Sequence, residues 1–503
     1  MRKQDATSQS SNSLSVMNRR RSIVVHNENR EQETILALNE LIRSLTADIN
    51  GLDARQSELE DTLETTTVSL KEAIESGNPV AVAVLTKSVE ECNVSISNIN
   101  LNRLHLETEL YEAEAKIFDI QDSEYSATLC SAIDTSQQLG FPLLAIRLTW
   151  LSTLQSILKT RYPETPLSEF TMSFICNVYV PDETQQSGLS LCDHFISEGE
   201  GRIVGLATHY VVYAQSMLLC DFKDSLDNLF SQNGITLDAQ ESIYIWVDVF
   251  SFTQEKLMFQ SLRMGPEWFS QSLAPALRCI AKVILVLDHK KGNPVLKSSW
   301  PLMELFLVSI DSRVQAEIAM SKMNAKSFID DAAMKGIRKA FPKNGTLAES
   351  KCSILGKQDQ IMEAANAMES DAAFDDTVKS EIEALMSNFL NSLLIWCRDV
   401  KDIPYTSLVS SVIGDFCQWH CYYEEAEQSF KYSLKLARNT YGNLDPRTVR
   451  IVKRMIKLYE ATSQFDKAEE LRNFGKPNRD KGGSDLVTLK GADVQVISAS
   501  GDS

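Results

Sequence analysis

Ser242-Ile243-Tyr244-Ile245-Trp246-Val247-Asp248-Val249-Phe250 is an apolar run without helical spacing, short enough for a strand and too continuous for one wetted on one face. Two similar runs flank it: Ala207-Thr208-His209-Tyr210-Val211-Val212-Tyr213 before, and Lys282-Val283-Ile284-Leu285-Val286-Leu287-Asp288 after, with helical patterns between them. Such strands alternating with helices predict a parallel sheet covered on both faces. Its entry is the Pro-containing linker Tyr162-Pro163-Glu164-Thr165-Pro166, so an α/β domain is expected over 166–312.

Everything around this domain reads as helix. Leu38, Ile42, Leu45, Ile49, Leu52, Gln56, Leu59, Leu63, Thr66, Leu70 and Ala73 alternate at four and three residues, the a/d seam of a coiled coil. Gly77-Asn78-Pro79 stops that helix, because Gly and Asn accept left-handed geometry and Pro cannot continue the ladder. A second seam follows at Val82, Leu85, Val89, Cys92, Ile96, Ile99, Leu106 and Leu110, interrupted by Arg103. The two helices are expected to fold back as an antiparallel coiled-coil hairpin over 31–118, roughly 55 to 65 Å long. Polar Gln56, Thr66 and Arg103 on the seam would fix register or oligomer state. Residues 1–30, rich in Ser, Asn and Arg, read as a disordered leader, and 119–165 as a linker of two amphipathic helices. Residues 313–400 read as a helical connector. Tyr423-Glu424-Glu425-Ala426-Glu427 then recurs as Phe465-Asp466-Lys467-Ala468-Glu469, a period of 42 that predicts stacked helical hairpins over 401–475. The end, 476–503, is Gly-, Asp- and Ser-rich and reads as a disordered tail. The fold class is thus multidomain α and α/β.

Composition narrows the function classes. At 503 residues the chain exceeds what one core normally organises. A net charge of −18 repels phosphate backbones, so nucleic acid is excluded as a first partner. Arg19-Arg20-Arg21 precedes Ser22, readable as a solvated tail or as a basic-directed phosphorylation site. No apolar stretch reaches bilayer length and no signal-peptide core is present, which predicts a cytoplasmic protein without a membrane span. Ten scattered Cys without C-x-x-C fit reduced thiols, with Cys220, Cys279 and Cys397 expected as small buried side chains. Cys417, His420 and Cys421 fall at i, i+3, i+4, but a fourth zinc ligand is missing, so no metal site is assigned. Walker loops, G-x-G-x-x-G, G-x-S-x-G and H-E-x-x-H are absent.

Ser298-Ser299-Trp300-Pro301-Leu302-Met303-Glu304-Leu305 resembles the S-x-W-C-x-x-E-L segment of Toll/interleukin-receptor (TIR) domains, again just after an apolar strand. Upstream, Gly265-Pro266-Glu267-Trp268, Leu273 and Ala276-Leu277 are similar to that family's loop and helix. The resemblance is strongest to a divergent branch found beside tetratricopeptide repeats. Ala207 to Gln215 matches its A-T-x-F-V-S-H-A-W strand, and Trp246 to Gln254 its W-x-D-x-F-S-x-N-Q strand. Together these cover about 170–310 and imply a TIR-like, flavodoxin-like parallel-sheet domain. Where the branch has Ser-His-Ala-Trp this chain has Val212-Tyr213-Ala214-Gln215, and Pro301 replaces the Cys after Trp, which counts against catalysis.

In enzymatic members the Glu of W-x-x-x-E supports cleavage of nicotinamide from NAD, and Glu304 is the matching position. A carboxylate there would stabilise positive charge at the anomeric carbon. Pro301 in a first helical turn would place Glu304 near the helix N-terminus, favouring its ionised form, though it would equally serve only its helix. Trp300 is core or a wall for a nicotinamide or adenine ring. Asp248 contacts a ribose or shapes its loop. His209 reads as a satisfied core histidine.

The C-terminal repeat resembles kinesin-light-chain-type tetratricopeptide (TPR) units, with Asp445-Pro446-Arg447-Thr448 standing where that family has His-Pro-x-Thr. Two function classes follow. The first is an intracellular signalling or scaffold protein with TIR-like assembly, self-association through the coiled coil, and a protein or peptide bound by the TPR region. The second is an NAD nucleosidase, with NAD as substrate, activated by oligomerisation. No resident cofactor is implied.

Overall fold

The computed structural model describes residues 6–184, 189–252, 267–341, 346–350 and 358–473. Thr253-Gln254, Gly265-Pro266, the tail 476–503 and the side chains of Arg19 to Ser22 lie outside the described residues. The chain divides into two compact units, Met1–Thr128 and Leu129–Ser503.

In the first unit, helix α1 (Ala6–Glu75) is followed by α2 (Pro79–Leu139), whose end from Leu129 belongs to the second unit. Gly77 adopts φ 70°; its N–H donates to Ile74 O while the Asn78 N–H donates to Ala73 O. This is the paired 5→2 and 6→1 closure of a Schellman cap. The positions read as seam are the shielded ones: Leu45, Ala73 and Ile99 are buried and the others are intermediate. Arg103, which breaks the apolar pattern, pairs with Asp53 across the turn at 3.2 Å and with Glu107 on its own helix at 2.9 Å. Helix α1 starts at Ala6, so it takes in most of the expected disordered leader. No Gly or Pro precedes Gly51 to interrupt its ladder. Its 70 residues correspond to about 105 Å, longer than anticipated.

The second unit begins within the last turns of α2. The stretch 119–165 is not only helical linker, because Gly140 at φ 62° ends α2 with the same paired closure (Gly140 N–H to Gln137 O, Phe141 N–H to Ser136 O) and strand β1 (Leu144–Arg147) follows. Then come α3 (Trp150–Arg161), β2 (Val204–Leu206), β3 (His209–Val212), α4 (Leu219–Gln232) and β4 (Tyr244–Trp246). After the undescribed 253–266 come β5 (Lys282–Val286), α5 (Ser299–Ser309), β6 (Gln315–Ala319) and α6 (Lys322–Lys335). The sheet order is β2-β1-β4-β3-β5-β6. The four strands β4, β3, β5 and β6 are mutually parallel, whereas β1 is antiparallel to both β4 and β2. The sheet is therefore mixed rather than purely parallel, and it extends beyond 166–312 at both ends. Counted in chain order, the parallel strands stand 2-1-3-4, a doubly wound order with its reversal between β3 and β5.

Strand side chains alternate between two cores, as expected for a sheet covered on both faces. Ala145, Tyr210, Val212, Val283 and Leu285 enter one core, and Leu144, Ile146, Val211, Ile284 and Val286 the other. Helices α3 and α4 fill the second core with Leu151, Leu154, Phe222 and Leu226. The first core does not stop at the sheet. It runs through α5 and α6 into α7 (Asp371–Asp399), α8 (Ile403–Trp419), α9 (Tyr423–Tyr441), α10 (Pro446–Ala461) and α11 (Phe465–Arg472). Phe306 of α5 stacks on Phe374 of α7 at 4.5 Å.

Helices α9 and α11 begin at the two recurring motifs, and each is preceded by the same turn. Cys421 (φ 63°) and Ser463 (φ 59°) take the left-handed position, and Tyr422 N–H and Gln464 N–H close back on Cys417 O and Tyr459 O. Asp445 caps α10 by accepting from Arg447 N–H at 2.8 Å, with Pro446 in its first turn. Between α8 and α9 small residues let the backbones approach. Ser407 Oγ donates to Ser433 O and Ser433 Oγ to Ser407 O, and a Cβ on Gly414 would lie 2.7 Å from the Phe430 ring. The i, i+3, i+4 reading of Cys417, His420 and Cys421 fails, because α8 ends at Trp419 and Cys421 turns away in left-handed conformation. Cys220 and Cys279 are exposed, against expectation, while Cys397 is buried. Among the described residues no helix is long and apolar enough to cross a membrane.

Candidate functional site

The carboxyl ends of parallel strands at a reversal point leave a crevice, since the connections depart in opposite directions. A cleft of about 490 Å³ lies there. It is lined by Tyr213 to Ser216 after β3, Asp248 and Phe252 after β4, and Pro294, Lys297 and Trp300 to Pro301 after β5. Glu304 joins them from one turn further along α5. The segment that follows α3 closes one wall, with Ser173 N–H donating to Gln215 O at 2.8 Å.

The three residues singled out from sequence, Glu304, Trp300 and Asp248, all line this cleft. Glu304 is 5 % exposed. Its Oε1 accepts from the Tyr210 hydroxyl at 2.5 Å and from Trp300 Nε1 at 2.8 Å. The expectation that the helix N-terminus keeps Glu304 ionised is overturned. Burial pushes its carboxyl up to about 8, and the nearby Asp248 pushes the same way, outweighing the two donors. Asp248 is itself raised by burial, against hydrogen bonds from the Tyr213 hydroxyl and from Val249 N–H. The site thus holds two carboxyls that share a low-dielectric cleft and resist ionising together.

Sequence reasoning missed the phenols and the ring floor. Tyr210 lies flat on Trp246 (4.5 Å, 10°), which in turn stacks on Phe141 at 5.0 Å. Trp300 sits beside Trp268 and Phe269 at 5.7 and 5.4 Å. The signal for Tyr210 was its place on a strand beside Trp246, its direct register partner across the parallel pair. His209 is outside this cleft, with Nδ1 2.9 Å from Thr208 Oγ1, and burial lowers it to about 4. It is a neutral packed side chain, as read from sequence.

Chemically, a carboxyl protonated at neutral pH against an indole is a proton donor, while an aromatic floor suits a flat ring. Among the described residues no group of three or more His, Cys, Asp and Glu side chains is placed to hold a metal ion. No family model, no curated protein and no solved structure matches this chain.

Proposed function

We propose that the chain is an intracellular signalling or scaffold protein in which a coiled-coil hairpin self-associates and thereby assembles TIR-like α/β domains, while TPR-like repeats dock a protein or peptide. One observation carries the self-association. Val94, Leu101 and Leu104 on α2 are 60 %, 66 % and 62 % exposed, spaced seven and three apart, and so form one stripe. This stripe is distinct from the seam that already faces α1. Burying each such side chain contributes about 1.5 to 3 kcal/mol, and a second copy presents the same stripe. The 2-1-3-4 order of the parallel strands supports the TIR-like reading, and the turn repeated at Cys421 and Ser463 supports the TPR-like one. Light scattering of the full chain over a concentration series is the test. Wild type is expected above monomer mass, and Val94→Glu/Leu101→Glu/Leu104→Glu at monomer mass. A monomeric wild type throughout ends this reading.

The convergence of Glu304, Trp300 and Asp248 on one cleft favours a second reading, cleavage of nicotinamide from NAD. Stabilising a developing cation requires the ionised carboxylate. Release of nicotinamide must then climb as pH rises through about 8 and vanish in Glu304→Ala. A profile flat from pH 6 to 9.5, or a variant as active as wild type, removes it.

A further inference from the structure

A second cleft, of about 650 Å³, lies between α6, α8 and α10 and shares no lining residue with the first. Its lining reverses the character of the chain. Lys322, Lys326, Arg447, Arg450 and Arg454 face it against Asp330 and Asp402, in a protein of net charge −18. Two of the five cations are committed. Arg454 pairs with Asp415 at 3.0 Å and donates to Ala332 O and Ala333 O, and Arg447 pairs with Asp445 at 2.9 Å. Asp402 is engaged as well, accepting from Tyr405 N–H at the start of α8. Lys322, Lys326 and the half-buried Arg450 make no ion pair or side-chain hydrogen bond among the described residues.

Helix stability does not explain these cations. Lys322 and Lys326 stand in the first turns of α6, and Arg447 and Arg450 in those of α10, and neither helix has an acidic residue in its first turn. A cation in the first turn, as Lys322 and Arg447 are, opposes the helix dipole. An anion between the two helix starts would offset that opposition. Trp396, Tyr405 and Tyr441, each half-buried, line the same cleft and offer flat apolar surface beside the charges. Its volume lies in the range of small-molecule sites.

We propose that this cleft binds a nucleoside polyphosphate, with Lys322, Lys326 and Arg450 on the phosphates and the base against Trp396 and Tyr405. Arginine and lysine hold phosphate oxygens by charge-assisted hydrogen bonds, and an aromatic wall recognises a base without reading its edge. An acidic peptide would satisfy the cations but make no use of the ring-lined volume beside them.

The test is calorimetric titration of ADP into the full-length protein, repeated with pyrophosphate and with a ten-residue polyglutamate. ADP is expected to bind with a sub-millimolar Kd, at least tenfold tighter than pyrophosphate. Binding is expected to weaken at least tenfold in Lys326→Glu/Arg450→Glu. Both side chains of the double variant lack partners, and an unaltered thermal midpoint confirms its fold; Arg450→Gln alone serves if that midpoint falls. Pyrophosphate as tight as ADP, polyglutamate that displaces ADP, or full affinity in the charge-reversed protein would each overturn the proposal.

Discussion

Replacing Glu304 by Gln should stabilise the protein, and by an amount that depends on pH in a fixed way. In the unfolded chain this carboxyl ionises near 4.5, whereas in the cleft it does so at about 8. Between these values the folded state holds a proton that the unfolded state has released. Stability attributable to Glu304 is therefore fully present below pH 4.5 and falls as pH rises toward 8, by about 1.4 kcal/mol per unit. Gln cannot ionise, yet its Oε1 can still accept from Tyr210 and Trp300. The difference in unfolding free energy, Glu304→Gln minus wild type, should be near zero at pH 4.5, about 3 kcal/mol at pH 7, and level off near about 5 kcal/mol above pH 8. Urea unfolding of both proteins at half-unit steps from pH 4.5 to 9 measures it, and titrating groups that do not interact with Glu304 cancel in the subtraction. A difference independent of pH, or one that grows toward acid, would refute the assignment of a neutral carboxyl to this cleft.

Arg454→Leu leaves Asp415 buried without its partner and strips two α6 carbonyls of their donor, so a loss of about 3 to 5 kcal/mol is expected in urea unfolding. The double change Arg454→Leu/Asp415→Leu should recover much of that loss. Gly414→Ala forces a Cβ against the buried Phe430 ring and should cost about 1 to 3 kcal/mol, read as a lower thermal midpoint. Cys421→Gly relieves a side chain held at φ 63° and should gain about 1 kcal/mol; a loss would mean that the thiol packs more usefully than the turn strains.

The hairpin turn was legible because Gly77-Asn78-Pro79 concentrates three local signals, and the shielded positions of α1 and α2 follow the spacing of four and three. The central strands were legible as apolar runs, and with them the meeting of Asp248, Trp300 and Glu304, since strand ends and the helix that follows converge wherever the sheet is doubly wound. Strand β1 was not found, although Gly140-Phe141-Pro142 marks the end of α2. A four-residue strand carries too little periodicity to separate from helix. The protonation of Glu304 was beyond local reading, because burial by the whole cleft and the charge of Asp248 outweigh the bond from Tyr210, 94 residues away. The failed Cys417, His420 and Cys421 spacing has a similar cause. A Cys in left-handed conformation gives no sequence warning that the helix has ended.

The stacking of Phe306 on Phe374 belongs to a core that passes from the sheet to the last helices without interruption. Its consequence concerns modularity. A chain severed near residue 312 or 400 would not release a finished piece but bare half of a shared interior, so the segments on either side should gain and lose protection from hydrogen exchange together. The inherited unit is then the whole block from the sheet to α11, and neither its α/β part nor its helical part could have been exchanged alone between proteins without rebuilding the surface they hide from water.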